Sequence, residues 1–174
     1  MFLSKDETDY SILRQGDVLK DVHILGAINI NAITYGHNIN NELVSWHLIN
    51  KPLFTNAMVL SHSCEIDPKN KEKTTSIILG AFRDIDTATS PEKVEELIES
   101  NLIDDSSEFS YLKYFYVKPH EELPYPNGSI VDFSKCFSVR NNCYDVLVSN
   151  KILQLKPEIV EKMSIKLAYY FHRG

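Results

Sequence analysis

Residues 61–67 read Ser61-His62-Ser63-Cys64-Glu65-Ile66-Asp67, which places a thiol between an imidazole and two carboxylates. A histidine beside a cysteine can accept the thiol proton, and the thiolate is the nucleophilic form. On an extended strand alternate side chains share a face. A strand persisting to residue 64 would therefore set His62 and Cys64 side by side, with Ser61, Ser63 and Glu65 on the opposite face. Cys64 and His62 are the expected catalytic pair, and Glu65 or Asp67 could orient the ring after a bend. The same residues have a plainer reading. Free cysteine commonly packs as a small apolar filler, histidine can satisfy a strand-end carbonyl, and Asp67-Pro68 is an ordinary turn starter.

Metal binding is the third chemistry open to these types. His62 and Cys64 are borderline-soft ligands, and Cys136 or Cys143 could add others. Structural zinc sites use tight ligand pairs, and Cys136 and Cys143 are too far apart in sequence to make one. No metal and no other cofactor is expected. Ser90-Pro91-Glu92-Lys93 and Ser110-Tyr111-Leu112-Lys113 both match Ser-x-x-Lys, but the first is better explained as a helix cap. His37 and His120 fall in expected loops, and Trp46 and His47 would point to opposite faces of a strand. Tyr111, Tyr114, Phe115 and Tyr116 could stack on bases, although no arginines interleave them.

The segment before Ser61 explains where the thiol is carried. "AMVLS", residues 57–61, is apolar on both faces and reads as a central strand. "TTSIILGAF", 74–82, reads as its neighbour across a lysine-rich loop. Earlier, "VLKDVHIL" opens a first strand after Arg14-Gln15-Gly16-Asp17, and "GAININ" and "ITYGHNINNELVSWHLI" add further strands around an Asn-rich turn. Ser90 and Pro91 are cap and first-turn residues for a helix over about 91–100, with Val94, Leu97 and Ile98 on one side. Strand character returns in "KYFYVKP" and, after Pro126-Asn127-Gly128, in "SIVDFSKCFSV". "KILQL" is a short last strand. Pro157 starts a closing helix with Ile159, Val160, Met163, Leu167 and Tyr170 on its apolar stripe.

Bulk properties bound the class. The 174 residues suffice for one core-forming domain, and the composition, 43% hydrophobic and 24% charged, is globular. No apolar run approaches a membrane span and the start lacks a secretory pattern, so no membrane partner is expected. Three cysteines, an odd number, suit a reducing compartment, and the expected location is cytoplasmic. The net charge of −6 is uneven: residues 81–110 hold nine acids against Arg83 and Lys93, or −7, leaving +1 elsewhere. No basic face for a nucleic-acid duplex is evident. The acidic segment, 84–108, reads as a solvated helix and loop, or as a docking surface for a basic protein partner.

The order of elements resembles the PemK/MazF family, small SH3-like barrels that act as toxins of bacterial toxin–antitoxin systems. "RQGDVL" is similar to the family's Gly-Asp near the first strand, and "AMVLSHS" to its strand running into a polar loop. "GSIVDFSKCFSV" and "LQLKPEIVEKMSIKLAYY" resemble its late strand pair and its closing strand and helix. The likeness covers about half the chain. Family members cleave RNA with an arginine near the first hairpin and a hydroxyl soon after the third strand. Here Ala81-Phe82-Arg83 stands where the hydroxyl would be, although Thr74, Thr75 and Ser76 lie earlier on the strand, and Arg14 and Lys20 are the nearest cations to the first hairpin. The resemblance thus implies the scaffold more than the ribonuclease activity.

The resulting expectation is a mainly β, α+β protein, one domain over 1–174. It would be a small SH3-like β-barrel with an acidic helical insertion at about 84–112 and a C-terminal helix. Its expected role is a binding module of a bacterial or phage conflict system. The Cys64 face would take a protein partner, or RNA or a nucleotide, through Arg14, Asp17, Ser61, Ser63, Glu65 and Arg83. The alternatives are a MazF-like endoribonuclease and a Cys64/His62-dependent hydrolase or transferase. A homodimer is compatible with either.

Overall fold

A computed structural model of the chain describes residues 1–24, 53–70, 76–87, 93–99, 101 and 111–172. The backbone divides into two compact units, Met1–Val22 with Thr55–Gly174, and His23–Phe54. The first holds the buried clusters and, apart from the ends of two strands, the whole described sheet. The strands expected over 25–50, with His37, Trp46 and His47, lie outside the described residues, as do Thr74, Ser90, Pro91 and Ser110.

Six strands form one antiparallel sheet: β1 (Asp17–Ile24), β2 (Leu53–Val59), β3 (Ser76–Asp84), β4 (Tyr114–Val117), β5 (Ser129–Arg140) and β6 (Lys151–Gln154). Four helices accompany them: α1 (Ser63–Ile66), α2 (Val94–Glu99), α3 (Tyr144–Ser149) and α4 (Pro157–His172). The strand order is β4-β5-β3-β2-β1-β6, which makes β2 and β3 interior and leaves β4 and β6 as edges. The fold is mixed α+β, and its curled sheet is open, since among the described residues β4 and β6 do not pair. Both edges are nonetheless occupied. Asn101 bridges the free side of β4, its Nδ2 donating to Tyr116 O (2.7 Å) and its Oδ1 accepting Tyr116 N (2.9 Å). Leu3 N donates to Gln154 O (2.9 Å) along β6. Covered edges suppress pairing with other chains.

Alternation sorts the sheet into two buried faces. Val18, Met58, Phe82, Val131 and Phe133 pack with Met163, Ile159, Val160 and Leu167 of α4. Leu19, Ala57, Val59, Ile77 and Leu79 turn the other way, against Leu13, Ile66, Tyr144 and Leu147. β2 is therefore buried on both sides, as its unbroken apolar run requires. The expected α4 stripe is the one used. A third cluster joins Leu97 of α2 to Ile85, Tyr116 and Ile130.

Two glycines are required by backbone geometry. Gly16 turns the chain into β1 at φ 84°, with room beside it taken by Val160 and Leu155. Gly128 closes the Pro126-Asn127-Gly128 turn at φ 110°, against Tyr116. Both φ values lie where side chains with a Cβ are strained.

Candidate functional site

The strand carrying the thiol stops earlier than alternation implies. β2 ends at Val59, and Leu60 N and Ser61 N both donate to Ile78 O (2.9 and 3.3 Å). Ser61 is buried, and its hydroxyl accepts Ile78 N (2.8 Å). This contact finishes the β2–β3 ladder, so Ser61 is a strand-end group rather than a ligand contact.

His62 then caps α1. Its backbone is extended, its carbonyl accepts Glu65 N (2.9 Å), and its ring Nδ1 accepts Cys64 N (3.3 Å). The same Nδ1 is 2.8 Å from Cys64 Sγ. A nitrogen that accepts an amide N–H presents its lone pair, so the thiol S–H is the donor in this contact. His62 and Cys64 are thus neighbours, as expected, but through a helix cap and not through strand alternation. Asn70 Nδ2 donates to Cys64 O (2.6 Å), fixing α1 to the following turn. Both His62 and Cys64 are exposed.

The thiol opens on a cavity of about 320 Å³ lined by Ile12, Leu13, Arg14, Ser63, Cys64, Asp67 and Pro68. The two charged groups on its walls are the Arg14 guanidinium and the Asp67 carboxylate. Arg14 also pairs with Asp9 (3.2 Å). The Ser11 hydroxyl and amide, and then Arg14, hold the Asp9 carboxyl below its usual range, which keeps it charged. Ser63 Oγ accepts Gln15 N (3.0 Å), tying α1 to the loop opposite. Asp67 lines the cavity and caps its own turn through Lys69 N (2.8 Å).

The expected residues divide on inspection. Arg14, Ser63, Cys64 and His62 come together, and Glu65 lies exposed beside them on α1. Asp17 does not line the cavity. It is fully buried, its Oδ2 bonding Lys151 Nζ (2.7 Å) and Arg14 N (2.7 Å) and its Oδ1 enclosed without a hydrogen-bond partner among the described residues, so its burial keeps it out of the cavity. Burial pushes its carboxyl up to about 6 against the opposing pull of Lys151. Arg83 is also elsewhere. It pairs with Asp132 (3.1 Å) and is in register with Ile130, five residues along β3 from Ile78. At about 3.3 Å per residue that is some 16 Å along the strand from Ile78, where Ser61 is bonded.

The remaining candidates are accounted for by packing. Phe115 and Tyr116 are core, and Tyr111 donates to Glu96 (3.3 Å), so the aromatic run is not an exposed stacking platform. His120 packs edge-on against Phe2, and its Nδ1 accepts Glu122 N (3.2 Å). Cys136 donates to Phe133 O (3.1 Å), and burial pushes its thiol up to about 11. Among the described residues, no three His, Cys, Asp or Glu side chains form a metal-holding group. No described helix is long and apolar enough to cross a membrane.

Sequence reasoning missed the far wall, Ile12 and Leu13, and the groups behind it, Tyr144, Lys151 and Gln154. One signal was available: Lys151 is a cation opening the short, mostly apolar strand "KILQL", a placement that calls for a buried partner. No family model matches the chain, and no curated protein matches it in sequence.

Proposed function

We propose that the chain is a binding module whose Cys64 face holds a protein partner, with one partner side chain entering the cavity between Arg14 and Asp67. The observation that carries this reading is the cavity of about 320 Å³, which has a mixed-charge rim and an apolar back formed by Ile12, Leu13 and Pro68. Its size suits one large side chain or a small ligand. The walls carry one cation, Arg14, and one anion, Asp67, and Arg14 is already paired with Asp9 (3.2 Å), which disfavours a polyanion such as RNA and favours a basic or neutral group.

The scaffold is a derivative of the SH3-like PemK/MazF barrel in a bacterial or phage conflict system. Support comes from the sequence resemblance at "RQGDVL", "AMVLSHS" and "LQLKPEIVEKMSIKLAYY" and from the curled α+β sheet with α4 packed on one face. Ala81-Phe82-Arg83 supplies no hydroxyl, Thr87 just after β3 donates its own to Asp84 O (2.7 Å), and Arg83 lies away from the cavity, all of which argue against ribonuclease chemistry.

A second reading is favoured by the 2.8 Å His62–Cys64 contact. Cys64 Sγ would attack an electrophilic carbon while its proton passes to His62 Nδ1. His62 would then return that proton to the group leaving the same carbon. Expression of the wild type, Cys64→Ala and the cavity-filling Cys64→Trp separates the two readings. Loss of a stoichiometric, identified partner with Cys64→Trp but not Cys64→Ala supports binding. Growth inhibition abolished by Cys64→Ala supports chemistry. Neither a partner nor growth inhibition in the wild type removes both.

A further inference from the structure

Five backbone groups of the loop 9–15 are held by side chains more than forty residues away in sequence, and a sixth, Arg14 N, by Asp17. Asp9 N donates to Gln154 Oε1 (3.3 Å), and Asp9 O and Ile12 O accept Lys151 Nζ (2.7 and 3.3 Å). Leu13 N donates to Tyr144 Oη (3.0 Å), Arg14 N to Asp17 Oδ2 (2.7 Å) and Gln15 N to Ser63 Oγ (3.0 Å). Lys151 is itself seated by Asp17 Oδ2 (2.7 Å) and Gln154 Oε1 (3.2 Å), with both charged side chains fully buried. Loops ordinarily satisfy their backbone with water or with their own turns. This one is instead clamped onto β6 and α3, and it carries Ile12, Leu13 and Arg14 into the cavity wall.

We propose that Lys151 and Tyr144 form a buried latch that positions the Ile12–Arg14 wall beside Cys64, so that they set the charge and shape the thiol faces without touching a ligand. This rests on the reading of the cavity as the working site. The ammonium is suited to the task because it has three donors and the loop offers it two carbonyls, with Asp17 fixing its place. Tyr144 supplies an acceptor where the Leu13 amide would otherwise be buried alone. Burial, partly opposed by that amide, pushes the Tyr144 phenol up.

Two readouts separate the latch from the site. The first is amide hydrogen exchange, which does not depend on Cys64. Lys151→Met and the milder Tyr144→Phe should each raise exchange at Leu13 and Arg14 at least tenfold. Ile77 and Leu79 in β3 should stay protected, showing that the variants are folded. The second is the ratio of Cys64 alkylation rates by iodoacetate and iodoacetamide, in which the thiolate fraction cancels. Arg14→Ala should shift this ratio, and the latch variants should shift it in the same direction.

Unchanged exchange at Leu13 and Arg14 in Tyr144→Phe and Lys151→Met overturns the latch. Faster exchange with an unmoved ratio, where Arg14→Ala does move it, overturns the positioning role. If Arg14→Ala leaves the ratio unchanged, the reading of the cavity fails, and exchange alone still decides whether the loop is latched.

Discussion

The imidazole Nδ1 of His62 lies 2.8 Å from the Sγ of Cys64, and the same ring caps the helix on which that thiol rides. One nitrogen therefore serves both a structural bond, to Cys64 N, and a chemical one. Removing the ring should loosen α1 as well as deprive the thiol of its acceptor.

Alkylation at neutral pH is the direct check. With iodoacetamide, Cys64 should react first and Cys136 last, because Cys136 is half-buried and its thiol is pushed up to about 11 by burial. His62→Ala should slow the Cys64 reaction by at least about threefold. Mass-spectrometric rates for the three cysteines measure both. Equal rates for Cys64 in wild type and His62→Ala would show that the contact has no bearing on reactivity.

Arg83 gives a negative control. Its partner is Asp132 on the far part of β3–β5. Arg83→Met should leave the iodoacetate-to-iodoacetamide ratio at Cys64 unchanged, whereas Arg14→Ala should alter it. A comparable shift in both would place Arg83 electrostatically at the cavity.

Lys166 is fully buried on α4, with Nζ 3.5 Å from Asn101 Oδ1, and burial pushes its amine down to about 7. A lowered lysine pKa means that the folded state disfavours the charged form. The cost is absent above the unfolded value near 10.5 and complete below about 7, so stability attributable to this group rises as pH climbs between them. Lys166→Met should raise stability at pH 6.5 by about 1–3 kcal/mol, with a smaller gain at pH 9.5. Urea midpoints at the two pH values test it, and a gain that does not shrink with pH refutes the burial argument.

Asp17 carries the opposite sign. Its folded carboxyl takes up a proton near pH 6, the unfolded one only near 3.8. The contribution to stability is complete below about 3.8 and lost as pH rises through 6. Wild type should therefore gain on Asp17→Asn as pH falls from 7.5 to 5. Thermal midpoints of both proteins across that range provide the comparison, and parallel curves would exclude the effect.

Gly16 turns into β1 at φ 84°, and a Cβ there would meet Val160 Cγ2 at 2.7 Å. Gly16→Ala should cost about 1–3 kcal/mol, through backbone strain and displacement of α4. Chemical denaturation measures it, with loss of less than half that amount counting against the crowding by α4.

The elements themselves were largely legible in the sequence. "KILQL", "SIVDFSKCFSV" and the Pro157 helix carry their periodicity openly, because each buries a whole face and must repeat every 2 or 3.6 residues. α3 was not legible. Its six residues, Tyr144–Ser149, bury only Tyr144 and Leu147, too few to impose a period. The point at which β2 ends was likewise hidden, because Leu60 and Ser61 are as buried as the strand before them.

The sequence by itself determined that a thiol and an imidazole would share residues 62–64 at the end of a buried strand, since their separation is fixed by two peptide units. Only the tertiary structure decided what faces them. Arg14 is brought in and Arg83 kept away, and Asp17 is turned inward to Lys151 across more than a hundred residues of chain. Such pairings depend on sheet order and loop closure, which reward contacts between positions that no local pattern connects.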